Sequence, residues 1–474
     1  MNLEKIVILG MLGSVHIATA QEPRQPNIIF ILTDDQRADA IGYAGNPIIH
    51  TPNIDELAVQ GTYFRNAFAT TPISAASRAS ILTGMYERSH EFTFQKGPLK
   101  QEYVDVMYPV VLRQNGYYTG YFGKQGVAIR HFTMLFDKAE TYDRNDKKPN
   151  REGYFYKTIG SDTVHLTRYT GYQGQEFIKS VPPGRPFMLT LCFSAPHAHD
   201  PAPEQYFWQS KSNRLYANIT IPDAPLTEEK YFMQLPKEVR EGFNRTRWHW
   251  RYDTPEKYQH SMKGYYRMVS EIDDEVGEIR TLLRERGLED NTIIIYLGDN
   301  GLFVGERQLA GKWLMHDLSL RVPLIVYDPR VNRHYDNTQM VLNIDVPRTI
   351  LSFAGIESPR SYQGLDLRPL VEIGHWKEKR NAILFEHLWA KKEIPSSEAI
   401  RTEKWKYFRY RFIDAPEELY DLEADPMEII NLAQNPEYRR VVRRLRKELD
   451  RQIALRVSQK LLDQPTEQTE RMGY

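Results

Sequence analysis

The apolar positions of this chain come in two rhythms. Residues 27–32, 186–194 and 292–297 are short, nearly unbroken apolar runs rich in β-branched side chains, the pattern of strands buried on both faces of a parallel sheet. Residues 261–286 switch to a helical period, with Met268, Ile272, Val276 and Ile279 three or four apart. A shorter helix is predicted over 53–61, with Ile54, Leu57 and Ala58 on one face and Gly61 as its stop. Strand–helix alternation predicts a doubly wound α/β sheet. Ligand sites in such sheets gather at the carboxyl ends of strands. Residues 200–260 are aromatic, charged and aperiodic, and read as an inserted substrate-facing region or a long loop with short helices. Residues 398–408 predict strand pairing in a small separate sheet, and 437–459 a charged helix.

Composition narrows this picture. A chain of 474 residues holds one large α/β domain, read as 21–375, and a smaller C-terminal subdomain, 376–474. Lys+Arg and Asp+Glu both number 62, which excludes a strongly basic nucleic-acid footprint over the whole chain but not a local basic pocket. Cys192 is the one cysteine, so no intramolecular disulfide forms, and its apolar surroundings make it a buried strand residue. At the start, Lys5 precedes an apolar stretch over 6–17 and then Ala18-Thr19-Ala20, the pattern of a secretory signal over 1–20. That stretch is shorter than the about 20 residues a bilayer span needs. No other long apolar run follows, so no membrane span is expected after cleavage.

Chemistry concentrates at the strand ends. Asp34 and Asp35 close the first apolar run, and Asp299 and Asn300 the third. Just past a strand end the chain turns, so neighbouring side chains can converge. Three carboxylates and one amide oxygen make a hard, all-oxygen site, suited to calcium or magnesium and not to zinc. A small-residue segment, Thr71-Pro72-Ile73-Ser74-Ala75-Ala76-Ser77-Arg78, runs into a helix whose first N–H groups would face an anion. Ser74 or Ser77 could also simply cap that helix.

Ser74-Ala75-Ala76-Ser77-Arg78, followed by Ile81-Leu82-Thr83-Gly84, resembles the signature of the formylglycine-dependent (type I) sulfatases in its serine–alanine form. The resemblance runs over nearly the whole mature chain, through Gly123-Lys124, Ala195-Pro196-His197, Gly298-Asp299-Asn300-Gly301, Gly311-Lys312 and the segment around Glu418 to Pro426. It implies an alkaline-phosphatase-like fold: a large central mixed, mostly parallel sheet sandwiched by helices, plus a short antiparallel sheet and a helix near the C-terminus. It also implies that Ser74 is oxidised to formylglycine (3-oxoalanine) by a serine-type, oxygen-independent maturase. The hydrated aldehyde then attacks sulfur and expels the alcohol. Asp34, Asp35, Asp299, Asn300 and modified Ser74 would hold one Ca2+. Arg78 would hold the nucleophile, Lys124 and Lys312 would neutralise the sulfate oxygens, and His197 would protonate the leaving alcohol.

The chain departs from the pattern in two places. A histidine usually follows the Gly-Lys pair by two residues, and Gly126 stands there, so its role as base falls to His131 or water; Arg307 replaces a second common histidine. Three functions follow for test. The first is a sulfuric ester hydrolase acting on a sulfated carbohydrate in the bacterial periplasm. The others are a phosphodiester or phosphonate hydrolase of the same superfamily and a catalytically silent sulfated-glycan binder. His199, Asp200, Trp250 and His387 are the candidate substrate contacts.

Overall fold

The computed structural model describes residues 25–93, 97–142, 155–200, 202–377, 379–389, 391 and 393–458. The leader read at 1–20 lies outside the described residues. Eight strands form the main sheet: β1 (Asn27–Thr33), β2 (Thr62–Phe64), β3 (Tyr118–Gly123), β4 (Lys138–Thr141), β5 (Phe187–Cys192), β6 (Thr292–Gly298), β7 (Leu324–Tyr327) and β8 (Tyr335–Asn337). Their order is β8-β2-β7-β6-β1-β5-β3-β4. All neighbours run parallel except β7, which is antiparallel to both β6 and β2. The sheet is thus mixed and mostly parallel.

Strand β1 shows why the sheet needs cover on both faces. Ile28, Phe30 and Leu32 enter one apolar layer, and Ile29 and Ile31 enter the other. Each large side chain so buried contributes about 1.5–3 kcal/mol, which is why these runs carry no polar alternation. The first layer includes Ala75, Ala79, Ile81 and Leu82, and the second takes Met268, Ile272, Val276 and Ile279. The helices concerned are α1 (Pro52–Gln60), α2 (Ser74–Thr83), α3 (Phe243–Arg251), α4 (Pro255–Glu285) and α5 (Arg439–Ser458). Helix α4 begins six residues before the expected 261. Thr254 caps it, its side chain accepting from Lys257 N, and Pro255 is its first residue. The apolar period starts later because much of that first turn faces solvent.

A second sheet of four antiparallel strands, β9 (Ile383–His387), β10 (Ser397–Arg401), β11 (Trp405–Tyr410) and β12 (Glu418–Asp421), packs against Val442, Leu445 and Leu449 of α5. It is fastened beside the chain that leads into α2. Glu386 N donates to Thr70 O at 3.0 Å, and Arg88 bridges Glu386 and Glu398 at 2.9 and 2.5 Å. Cys192 is buried at the end of β5, and burial pushes its thiol up from its ordinary range. Among the described residues no helix is long and apolar enough to cross a membrane.

Candidate functional site

The parallel register sets Thr33 of β1 beside Gly298 of β6, so both acidic pairs leave the sheet at the same point. Asp299 N donates to Thr33 O at 2.9 Å, and Asp35 N to Asp299 Oδ1 at 3.1 Å. Asp35 adopts the left-handed conformation (φ 63). Asp34, Asp35, Asp299 and Asn300 are at most 3% exposed.

Helix α2 brings the third component. Its N-cap position is Ile73, which makes no side-chain cap bond. Neither serine therefore serves as the cap. Ser74 Oγ instead donates to Asp34 Oδ1 at 2.7 Å, lies 3.2 Å from Asn300 Oδ1, and accepts from Lys312 Nζ at 2.7 Å. Ser77 Oγ donates to Asp299 O at 2.5 Å and accepts from Asn343 Nδ2 at 2.9 Å. Arg78, one turn past Ser74, donates from Nε to Asp299 Oδ2 at 2.8 Å and from Nη1 to Lys124 O at 3.0 Å. Among the described residues its buried Nη2 has no hydrogen-bond partner.

Three cations face the three carboxylates. Lys124 Nζ pairs with Asp34, Lys312 Nζ with Asp35, and Arg78 with Asp299. His197 Nε2 lies 3.5 Å from Asp35 Oδ2, and its Nδ1 contacts Ala198 O. Burial alone would push Asp34 up. The charges of Lys124, His197, Arg78 and Lys312 outweigh it and hold the carboxyl well below its usual range. Asp299 goes the other way: burial and the neighbouring Asp34 charge push it up, opposed by Arg78. The buried all-oxygen donors suit a hard divalent cation. Asp34, Asp35 and His197 offer ligand atoms within 4.8 Å of one another.

A cleft of about 510 Å³ opens over this cluster, whose four oxygen donors do not themselves line it. Ser74, Lys124, His197, His199, Asp200 and Lys312 line it, so the structure brings most of the expected site residues together. Trp250 does not line it but stands edge-on to Phe243, which does. His387 is fully buried in β9, away from the cleft lining, and burial lowers its pKa to about 4. His131 is exposed and does not line the cleft either. Gly126 does, in the left-handed region (φ 72), and a Cβ there would meet Arg78 Cδ at 3.0 Å.

Sequence reasoning missed the cleft's upper wall. Phe243, Trp313 and Trp389 form an aromatic lining, with Arg247 4.4 Å from the Trp313 ring centroid. Arg247 Nε donates to Asp200 Oδ2 at 3.0 Å, and Arg251 pairs with Asp200 Oδ1. The missed signal was spacing. Phe243, Arg247 and Arg251 fall four apart and share one face of α3.

Comparison with known proteins places this geometry. The Sulfatase family model matches residues 26–356, and that for the C-terminal part of N-sulphoglucosamine sulphohydrolase matches 305–454. The chain is 27% identical to an N-acetylglucosamine-6-O-sulfatase of Bacteroides thetaiotaomicron, over 88% of this chain and 84% of that one. It is 28% identical to an arylsulfatase of Clostridium perfringens, covering 90% and 94%. A structure of a protein in complex with its substrate D-glucosamine-2-N,6-O-disulfate superposes with a TM-score of 0.77 at 23% identity, covering 92% of this chain and 99% of that one. The phosphonate monoester hydrolase of Agrobacterium radiobacter superposes with a TM-score of 0.75 at 21% identity, covering 94% and 98%.

Proposed function

This chain belongs to the sulfatase family and hydrolyses sulfate esters, and from that premise we propose that it removes sulfate from a sulfated carbohydrate, using a formylglycine made from Ser74. One observation carries the reading. Ser74 Oγ lies on the cleft floor within hydrogen-bond distance of Asp34, Asn300 and Lys312, four residues before a buried Arg78 with a free donor. A capping serine would face its own helix, and this one faces carboxylates and cations.

The residues fit both absent groups. Asp34, Asp35, Asp299 and Asn300, with the oxidised Ser74, would hold Ca2+. Bound there, the ion would supply Lewis acidity toward a sulfate oxygen. His197 Nε2 is near Asp35, but a hard cation prefers oxygen, which leaves the imidazole for proton transfer. The hydrated aldehyde would supply a nucleophilic hydroxyl that an unmodified serine cannot regenerate after attack. The orphaned Nη2 of Arg78 would hold that group in place. Lys124 and Lys312 neutralise the sulfate oxygens as charge grows on them. His197 gives a proton to the departing sugar oxygen.

The carbohydrate reading is supported by the aromatic wall and by His199 and Asp200, two groups suited to sugar hydroxyls. It agrees with the names of the curated relatives, an N-acetylglucosamine-6-O-sulfatase among them. We further infer export, from the leader pattern over 1–20, and a maturase that acts on Ser74. The test is peptide mass spectrometry of Ser74 from the native host, with a panel of sulfated sugars, an aryl sulfate and a phosphonate monoester. Loss of two mass units at Ser74, or their hydrate, with turnover of sulfate esters is expected. Full activity in Ser74→Ala, or preference for the phosphonate, overturns the proposal.

A further inference from the structure

Helix α5 carries more positive charge than its own contacts use: Arg446 pairs with Glu417 and Arg451 with Glu448. Over 20 residues it holds eight cations, seven of them Arg, against Glu448 and Asp450. The chain as a whole balances 62 against 62, so this is a local concentration. The apolar face, Val442, Leu445 and Leu449, is buried on the second sheet. The opposite face is exposed and bears Arg439, Arg440, Arg443, Arg444 and Lys447, none of which makes an ion pair among the described residues. Arg440 and Arg444, Arg439 and Arg443, and Arg443 and Lys447 are like charges one turn apart, which weakens a helix. Arg439 and Arg440 also stand in its first turn, where acidic groups are favoured and none occurs. A sequence that breaks local electrostatic rules without a compensating contact points to an external partner.

The surroundings give that partner a seat. A groove of about 460 Å³ runs beside the helix, lined by Arg444, Leu445, Lys447, Glu448 and Arg451 on one side and by Asn381, Ala382 and Thr402 at the ends of the second sheet's strands on the other; Glu448, its one carboxylate, is paired with Arg451 at 2.6 Å. Arg440, Arg444 and Lys447 repeat at four and three residues, an uncompensated stripe about 10 Å long at 1.5 Å per residue, and Arg451, already paired with Glu448, lies one turn further on. That stripe suits an extended polymer with repeating negative charge. It does not suit a single small anion.

We propose that this groove is a second binding site, away from the catalytic cleft, for the sulfated polysaccharide chain on which the enzyme acts. The inference rests on the sulfate-ester reading above. Guanidinium groups pair bidentately with planar or tetrahedral oxyanions, so an arginine-dominated stripe matches sulfate half-esters. Holding the polymer by this groove raises the concentration of its ester groups near the cleft without any change at Ser74.

The test uses the full chain and the triple variant Arg440→Gln, Arg444→Gln, Lys447→Gln, all at exposed positions outside the cleft. Binding to heparin is measured by calorimetry between 50 and 300 mM salt, with kcat/KM on an aryl sulfate measured alongside. Expected is at least a tenfold loss of heparin affinity at low salt and a slope of log K against log salt reduced by about two to three, as counterion release predicts. Aryl sulfate turnover should stay within twofold. Unchanged heparin affinity overturns the site. So does equal affinity of the wild-type chain for duplex DNA or for anionic phosphatidylserine vesicles, which would make the stripe indifferent to sulfated glycan. Loss of aryl sulfate activity in the wild-type chain itself would instead strike the proposed function and leave the heparin measurement standing.

Discussion

Gly126 stands where the likeness to the sulfatase pattern implies a histidine, and the geometry predicts what placing one there would do. The residue adopts φ 72, and a Cβ there would come within 3.0 Å of Arg78 Cδ and 3.6 Å of Lys124 Cε. A non-glycine residue in this conformation costs about 1–2 kcal/mol. The crowding adds to it, because Arg78 cannot simply swing away. Its Nε is held by Asp299 at 2.8 Å and its Nη1 by Lys124 O at 3.0 Å. Gly126→Ala should therefore destabilise by about 1.5–2.5 kcal/mol. With unfolding entropy near 2.1 cal/mol/K per residue, a fold of this size loses only about 1 °C in Tm per kcal/mol. The expected drop is thus about 1.5–2.5 °C by calorimetry, and the larger effect should be on kcat as Arg78 shifts. Gly126→His should lower kcat further, since the imidazole can reach the cleft only by displacing Arg78 or Lys124. If Gly126→His instead raised kcat on an aryl sulfate with Tm unchanged, the site would be a simple histidine deletion and the packing argument would fail.

Three further outcomes follow from the same structure. Burial raises Asp273 to about 7 against the hydrogen bonds from Ile54 N and Asn53, and raises Glu275 to about 7 against Arg168. Because the folded state prefers these groups protonated, their stabilising share is complete below the unfolded pKa of about 4 and is lost as pH rises through about 7. Urea midpoints should fall from pH 5.5 to 8, and Asp273→Asn should flatten that slope by up to about 1.4 kcal/mol per pH unit; an unchanged slope refutes the assignment. Chelation should lower activity and Tm together, with Ca2+ restoring both and Zn2+ neither; indifference to chelator excludes the metal. Arg251→Met leaves the buried end of Asp200 to Arg247 alone, so KM for a sulfated sugar should rise about five- to tenfold while KM for an aryl sulfate stays level; equal changes for both would place Asp200 outside sugar recognition.

The strands that carry the acids were legible because burial on both faces forces continuous apolar runs, as in β1 and β6, and because each run ends abruptly in charge. The metal-type cluster is legible from those ends, and Ser74 only from the likeness of residues 74–84 to the sulfatase signature. The reversed strand β7 was not, since Leu324 to Tyr327 is equally apolar in either direction and only its pairing with β6 shows the reversal. The edge strand β4 is not legible because Lys138–Thr141 is partly exposed and reads as polar. The grip of Arg247 and Arg251 on Asp200 joins residues 47 and 51 positions apart, and local pattern carries no sign of such contacts. Trp250 and His387, expected as substrate contacts, do not line the cleft. The first stands behind Phe243, and the second is turned into the second sheet's core.

The hydrogen bond from Glu386 N to Thr70 O has a consequence for any attempt to divide this protein. Thr70 lies four residues before Ser74, and Leu388 N, two residues past Glu386, donates to Glu87 Oε2, whose carboxylate also accepts from Thr71 Oγ at 3.4 Å. The approach to the nucleophile is therefore moored to a strand more than 300 residues downstream. A polypeptide ending near 375 would keep every catalytic side chain yet lose the mooring that aims one of them. Two fragments cut there should be inert apart and active only on reassociation, so turnover itself becomes a reporter of whether the chain has been completed.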